Sequence, residues 1–230
     1  MKEILLVKYG EIILKGGNRS RFEKILIENM HNALKNIAKT RITVVQATVY
    51  VEVFDESLLD LVAERLTMVF GILSIVKARV SEKTVAAIEE AAKEYCAKNL
   101  TVGKKFKVEA KRSDKAFPLN SVEIAMEVGG FLDDSFEGLI VDVHNPEVTV
   151  KVEVRDSAAY VYCLEDRLKG QGGMPQRTGG KATLLLSGGI DSPVAGFMMN
   201  KRGMKIDCLH FHTNTDTLPT YLYSCLCIIC

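Results

Sequence analysis

The stretch Ala182 to Pro193, read Ala-Thr-Leu-Leu-Leu-Ser-Gly-Gly-Ile-Asp-Ser-Pro, constrains the fold more than any other part of the 230-residue chain. A continuous apolar run that ends at Ser187-Gly188-Gly189 predicts a buried strand entering a tight turn. Pro193 to Lys201 carries a helical pattern, with Ser192 placed as N-cap and Pro193 at the first helical position, where a missing N–H is tolerated. Ile206 to His212 is a second apolar run. Strand, glycine turn, helix and strand open a parallel α/β sheet, which requires covering helices and further strands. Only 18 residues follow His212, so the expectation is a domain unfinished as written.

The same turn has a chemical reading. A glycine pair lets backbone N–H groups approach an anion closely, and the helix that follows adds the positive end of its dipole, so phosphate is the natural ligand. Neither G-x-x-x-x-G-K-[ST] nor G-x-G-x-x-G is present, which disfavours P-loop kinases and dinucleotide-dependent dehydrogenases. The plain alternative is a glycine turn between a strand and a helix. His210 and His212, two positions apart, lack a third ligand at suitable spacing for a metal site.

Composition sets the frame for the rest. Hydrophobic residues make up 47% and charged residues 26%, with 17 Gly and 5 Pro, which excludes disorder and collagen-like repeats. No stretch approaches the roughly 18 apolar residues of a membrane span, and Met1 to Lys8 is too short and too charged for a signal peptide, so no membrane partner and a cytoplasmic location are the expectation. Thirty basic against 29 acidic residues leave the net charge at +1, so only local charge can argue for nucleic acid. Six cysteines in such a chain read as thiols rather than a disulfide framework, with Cys96 and Cys163 as small core residues.

Upstream, the periodicities predict a strand over Lys2–Lys8 and a helix carrying Phe22, Ile25, Leu26, Met30, Leu34 and Ile37. Strands over Arg41–Gln46 and Val49–Phe54, a helix over Leu58–Phe70 and a strand over Ile72–Ala78 follow. A second set opens with a helix over Thr84–Asn99, capped by Thr84, then a strand over Lys104–Ala110 and a helix capped by Ser121. Strands over Leu139–Val143, Val148–Val154 and Ala159–Cys163 complete it. Glu165 to Lys181, with five glycines and no apolar periodicity, predicts a linker between domains. Between Lys98 and Lys115 lie seven basic residues, Lys98, Lys104, Lys105, Lys107, Lys111, Arg112 and Lys115, against Glu109 and Asp114. That excess suits RNA phosphates, and Phe117 adds a stacking face for an unpaired base; a solvated face is the alternative. Lys15, Asn18 and Arg19 form a smaller patch that turn and capping chemistry explains equally well.

Leu184 to Pro193 resembles the S-G-G-x-D-S pyrophosphate loop of the ATP pyrophosphatase class, whose members adenylate a substrate oxygen. The resemblance implies that Ser187, Gly188, Gly189, Asp191 and Ser192 cradle the pyrophosphate of ATP. It also implies that Asp191 is catalytic and helps hold Mg²⁺, and that Leu185, Leu186, His210 and Phe211 line the adenosine pocket. Lys111 to Ser121, Val141 to Val148 and Val152-Glu153-Val154-Arg155 resemble a THUMP domain, and Tyr9 to Arg19 resembles the ferredoxin-like leader that accompanies it. Together, and with Gln176 to Lys181 before the loop, they resemble the tRNA 4-thiouridine synthetases of the ThiI family. The implied fold class is α+β followed by α/β. A ferredoxin-like domain (1–75), a THUMP domain (76–165), a linker (166–180), the start of a PP-loop ATP pyrophosphatase domain (181–212) and an atypical tail (213–230) follow one another.

The resemblance implies an ATP-dependent tRNA sulfurtransferase that adenylates the uridine C4 oxygen and transfers a persulfide sulfur, with a link to the thiazole of thiamine. Expected partners are tRNA and a persulfide donor such as a cysteine desulfurase, with room for a homodimer. RNA contacts are expected from Lys15, Asn18, Arg19, Lys104, Lys105, Lys107, Lys111, Arg112, Lys115 and Phe117. The persulfide cysteine is expected beyond this chain. Thr213 to Cys230 does not continue an α/β pattern and looks like a frame change or an artificial end, and Cys227-Ile228-Ile229-Cys230 lacks the second pair a zinc site needs. Two alternatives stand beside this reading, a tRNA-binding fragment without turnover and a small-molecule ATP-dependent ligase.

Overall fold

The computed structural model describes residues 2–187 and 189–211. The predictions for Gly188 and for the Cys225, Cys227 and Cys230 cluster lie outside the described residues. In chain order the elements open with β1 (Glu3–Tyr9), a 3-10 helix over Glu11–Asn18, α1 (Arg19–Leu34), β2 (Thr40–Val45), β3 (Thr48–Val53), α2 (Leu59–Thr67) and β4 (Ile72–Ser81). Next come α3 (Val85–Cys96), β5 (Lys105–Arg112), α4 (Ser121–Ser135), β6 (Ile140–Val141), β7 (Val148–Val154) and β8 (Ala159–Cys163). Then follow β9 (Leu168–Lys169), β10 (Lys181–Leu185), α5 (Asp191–Lys201) and β11 (Lys205–Leu209). The chain divides into two compact units, neither continuous in sequence. The first is Met1–Leu6, Tyr50–Leu59 and Val76–Leu168; the second is Val7–Val49, Asp60–Ile75 and Lys169 onward.

In the first unit the strands β4, β8, β7, β5 and β6 lie side by side in that order. β7 is antiparallel to β8 but parallel to β5, with Phe106 opposite Val148 and Arg112 opposite Val154. A parallel pair needs a crossover, and α4 supplies it. Alternation along β7 sends Val148, Val150, Val152 and Val154 into the core with Ile88, Ala92 and Cys96 of α3 and Ile124, Val128 and Leu132 of α4. Cys96 and Cys163 are both fully buried, and Cys163 donates to or accepts from Cys96, a contact that with burial drives its thiol pKa upward. Thr84 caps α3 by accepting from the Ala87 N–H.

Two boundaries differ from the sequence reading. Asn120, not Ser121, caps α4: its Oδ1 accepts from the Val122 and Glu123 N–H groups while the Glu123 carboxylate accepts from the Asn120 N–H. The strand predicted over Leu139–Val143 shrinks to two residues because Asp142 Oδ1 accepts from the N–H groups of His144 and Asn145 and turns the chain.

Glu153, on the β7 face away from the valines, is 6% exposed and pairs with Arg155, 5% exposed. The Tyr162 hydroxyl donates to its second oxygen at 2.7 Å, and burial with this carboxylate pushes the Tyr162 phenol far up. Removing one partner of such a buried pair strands the other charge in the interior. Along β5 and its flanks the lysines pair with acids: Lys104 with Glu147 at 2.7 Å, Lys105 with Asp142 at 3.2 Å, and Lys107 and Lys151 both with Glu109. Hydrogen bonds from Lys107 and Lys151 hold the Glu109 carboxyl below its ordinary 4.5; Lys104 does the same for Glu147, and the Asn145 N–H with Lys105 for Asp142.

In the second unit, the segment predicted to be a linker is tied down along its length. The Gly71 N–H donates to Gly172 O at 2.8 Å, and the Gly172 N–H returns to Ile72 O at 2.7 Å. Further on, the Met174 N–H reaches Lys201 O at 2.9 Å and the Gly179 N–H reaches Gly203 O at 2.8 Å. Gly173 has φ of +73°, and a Cβ there would lie 2.2 Å from Lys201 O, so only glycine fits. The strap fixes the C-terminal end of α5 against the 60–75 region, where Phe197 meets the edge of the Phe70 ring at 5.2 Å between centroids. β10 and β11 pair in parallel, Lys181 opposite Lys205 through Leu185 opposite Leu209, as the strand–helix–strand pattern required.

Glu153→Ala is expected to destabilise the first unit by about 3–5 kcal/mol in denaturant unfolding, whereas Glu147→Ala, which removes a surface pair, should shift stability by less than about 1 kcal/mol. The carboxyls of Glu109, Asp142 and Glu147 have lowered folded pKa values, so their contribution is complete above the unfolded value and fades as pH falls through the folded ones. Thermal unfolding followed from neutral pH downward should therefore show a loss of stability that begins only below about pH 4.5.

Candidate functional site

The loop between β10 and α5 is shaped by two hydroxyls. Ser192 Oγ accepts from the Ser187 N–H at 3.2 Å and lies 3.3 Å from Ser187 Oγ, which in turn accepts from the Gly189 N–H at 3.4 Å. The helix starts at Asp191, so Ser192 and Pro193 stand two positions deeper than the sequence predicted; Ser192 is not the N-cap. Pro193 is still within the first turn, where no intrahelical N–H bond is lost. Ile190 occupies the cap position and provides no side-chain acceptor, which leaves the first N–H groups of α5 open to an anion. At Gly189 a Cβ would find nothing nearer than Ser187 Oγ at 3.7 Å, so the glycine is not required by packing and leaves room for close approach of a ligand.

The predicted adenosine-side residues gather at the C-terminal ends of β10 and β11. Leu186 is buried, its N–H donates to Leu209 O at 2.8 Å, and its carbonyl accepts from His210 Nδ1 at 2.8 Å. Leu185 and Phe211 are 63% and 74% exposed and free to line a pocket mouth. This donor set fits a nucleoside triphosphate. Asp191 brings one exposed carboxylate, and among the described residues no three His, Cys, Asp or Glu side chains cluster as a metal cage. Mg²⁺ would be held by Asp191 together with phosphate oxygens and water, the usual arrangement for this ion.

The basic run of the first unit is thinner than its sequence suggests. Lys104, Lys105 and Lys107 are committed to the acids described above, and Lys98 pairs with Asp166 at 2.8 Å. Arg112 is turned inward, where Nη1 donates to Phe117 O at 3.1 Å and Leu119 O at 3.4 Å. Phe117, expected as a stacking face, is 5% exposed and belongs to the core, so its ring cannot stack on a base. Lys111 and Lys115 remain exposed and unpaired among the described residues. Lys111 borders a groove of about 400 Å³ that Glu109, Ser121, Val122, Lys151 and Tyr162 also line. The groove gave no signal in sequence, because β5, α4 and β8 meet there only in three dimensions.

In the second unit, Arg19 Nε is bound to Glu23 at 2.7 Å and its Nη2 donates to the Tyr9 hydroxyl at 3.0 Å. Burial and the Glu23 carboxylate push the Tyr9 phenol up to about 12. Arg19 thus serves an internal cluster. Lys15 is exposed with Nζ 5.4 Å from the Phe22 ring centroid, and exposed Asn18 sits at the start of α1 without capping it. Of the smaller patch, Lys15 and Asn18 face outward.

Comparison with known proteins matches these features to one family. A ThiI ferredoxin-like domain matches residues 4–76, a THUMP domain residues 82–164, and the Thiamine biosynthesis protein (ThiI) domain residues 177–222. A probable tRNA sulfurtransferase of Thermoanaerobacter pseudethanolicus is 45% identical over 213 residues, which is 93% of this chain and 54% of the relative. A solved 4-thiouridine synthetase–RNA complex with bound ATP superposes with a TM-score of 0.84 at 31% identity, covering 99% of this chain and 57% of that one. A Pyrococcus horikoshii protein superposes with a TM-score of 0.82 at 29% identity, covering 98% of this chain and 72% of that one. The chain spans about half the length of the curated relatives it matches. Ferredoxin-like, THUMP and ThiI domain matches follow one another along the chain, and over the stretch it spans the chain is similar to relatives described as probable tRNA sulfurtransferases.

Proposed function

We propose that this chain grips tRNA and presents a uridine to the Ser187–Ser192 loop for ATP-dependent formation of 4-thiouridine. The observation that carries the reading is the loop itself: an α5 N-terminus without a side-chain cap, preceded by an open glycine and two hydroxyls, at the end of a parallel strand. The Gly189 N–H, the first N–H groups of α5 and the Ser187 and Ser192 hydroxyls bind the pyrophosphate portion, and Asp191 holds Mg²⁺ beside it. ATP, when bound, would transfer AMP to the uridine C4 oxygen with loss of pyrophosphate. The outer sulfur of a persulfide would then attack C4 and expel AMP, and a second thiol would cleave the resulting S–S bond, leaving sulfur on C4 and forming a disulfide with the donor. The sulfur comes from a persulfide donor such as a cysteine desulfurase, in the cytoplasm, and the same chemistry would serve thiazole formation for thiamine. A homodimer is compatible with this scheme.

RNA recognition falls to three exposed lysines and one exposed asparagine. Lys111 and Lys115 in the first unit, with Lys15 and Asn18 in the second, meet phosphates and sugar edges. The solved relative described as an RNA complex with ATP supports both halves of the reading. A second reading, tRNA binding without turnover by this chain alone, is favoured by one observation. Among the described residues, the two-stranded parallel sheet leaves Leu185 and Leu209 exposed, whereas parallel sheets are normally covered on both faces. Intact tRNA affinity with no pyrophosphate release from ATP would select it.

Ser192→Ala removes the hydroxyl that links both ends of the loop. Calorimetric titration with MgATP is expected to show nucleotide affinity reduced about tenfold or more, with tRNA affinity unchanged. An equal loss of tRNA affinity would contradict the assignment of the loop to nucleotide.

A further inference from the structure

The Ser113–Asn120 loop follows β5 and carries the exposed Lys115, while Lys111 stands just before it. Its length and its single proline would leave it loosely held, yet it is pinned from several sides. Arg112 donates to the carbonyls of Phe117 and Leu119, which flank Pro118, and the Arg112 N–H donates to Ser121 Oγ at 3.1 Å. Asp114 Oδ1 accepts from the Ala116 N–H at 2.8 Å, and its Oδ2 pairs with Lys83 at 2.7 Å. At the base, the Ser113 N–H donates to Val154 O at 2.8 Å, and Arg155 Nη1 donates to Ser113 Oγ at 3.2 Å. Phe117 anchors the middle of the loop in the core, and Asn120 closes it by capping α4.

An arginine at the end of β5 and an aspartate in the loop after it admit opposite expectations from charge alone. Arg112 would contact a phosphate, and Asp114 would repel one. The geometry excludes the first role for Nη1, which is occupied by backbone carbonyls, and gives Asp114 a positive task in the loop.

We propose that Arg112 and Asp114 are positioning residues for RNA binding: they hold the Ser113–Asn120 loop in one shape, so that Lys111 and Lys115 meet RNA phosphates already aligned, and neither touches RNA itself. This rests on the reading of the chain as a tRNA-binding protein. Preorganisation of this kind removes an ordering cost from binding without adding a contact. The number of phosphates neutralised, and hence the slope of log K against log salt, is set by the lysines alone.

The test uses the whole chain and an unmodified tRNA transcript, with affinity measured over a range of salt. Lys111→Ala and Lys115→Ala should each weaken binding and flatten the slope by about one. Arg112→Met and Asp114→Ala should each weaken binding about five- to tenfold and leave the slope at the wild-type value. In the absence of RNA, the Ala116 and Phe117 amides should exchange hydrogen faster in both variants. Asp114 lies outside the hydrophobic core cluster, so its replacement leaves the core intact and keeps the test decisive if Arg112→Met folds poorly. Asp114→Ala that binds tRNA as well as or more tightly than wild type, or Arg112→Met that flattens the slope by about one, overturns the proposal alone. Lysine variants without effect likewise overturn the proposal alone, whereas wild-type chain that binds no tRNA overturns the tRNA reading and the proposal together.

Discussion

Parallel strand pairing governs where both candidate sites lie. Two neighbouring parallel strands cannot be joined by a hairpin; the chain must leave the end of the first, cross over, and return to the start of the second. In the first unit β5 pairs in parallel with β7, so the chain leaves β5 at Arg112, forms the Ser113–Asn120 loop and enters α4. In the second unit β10 pairs in parallel with β11, so the chain leaves β10 at Leu185, forms the Ser187–Ile190 turn and enters α5. Each candidate loop thus occupies the carboxyl end of a parallel strand, where open α/β sheets bind ligands. The two loops then diverge in how they treat the helix that follows. Asn120 and Glu123 satisfy the N-terminus of α4 with a reciprocal cap, leaving it no appetite for an anion, whereas α5 begins with no side-chain acceptor at all.

Charge in the 98–115 run is mostly paired within the chain, and Lys111 and Lys115 are what it presents outward. A run of seven basic residues reduces to Lys111 and Lys115 once Lys98, Lys104, Lys105 and Lys107 are seen against Asp166, Glu147, Asp142 and Glu109, and Arg112 against backbone carbonyls. Surface pairs of this kind add little stability, but they subtract directly from the field an RNA phosphate would feel. The buried Glu153–Arg155 pair is different in kind, since Tyr162 and Ser113 complete its hydrogen bonding and link β7 to the foot of the basic loop.

The helices and the central strands were legible because periodicity is a local property. Val148–Val154 and Ala159–Cys163 appear with the predicted ends, and Thr84 caps α3 as its position before an apolar stripe required. Three features were illegible, two because they depend on contacts far apart in sequence and one because a local turn lacks its usual residues. Glycine-rich composition between 170 and 180 indicates freedom, but here the glycines serve close backbone approach, as Gly173 against Lys201 does. Phe117 lies in a polar, basic stretch, and only the crossing of α4 over β5 places it in the core. The β2–β3 hairpin turns at Gln46 and Ala47 with φ of 47° and 66°, a turn geometry normally signalled by Asn or Gly. Between β10 and α5 the strand and the helix were legible and the helix start was not, because Ser192 answers to Ser187 across the turn rather than to the helix it enters.

The central claim is that two crossover loops divide the work, one for RNA and one for nucleotide. Amide hydrogen exchange on the intact chain, with tRNA and then with MgATP, tests it in one measurement. The account predicts that tRNA slows exchange across Lys111–Asn120 and that MgATP slows it across Ser187–Ser192. Protection by tRNA that leaves Lys111–Asn120 unchanged, or by MgATP that leaves Ser187–Ser192 unchanged, would contradict it.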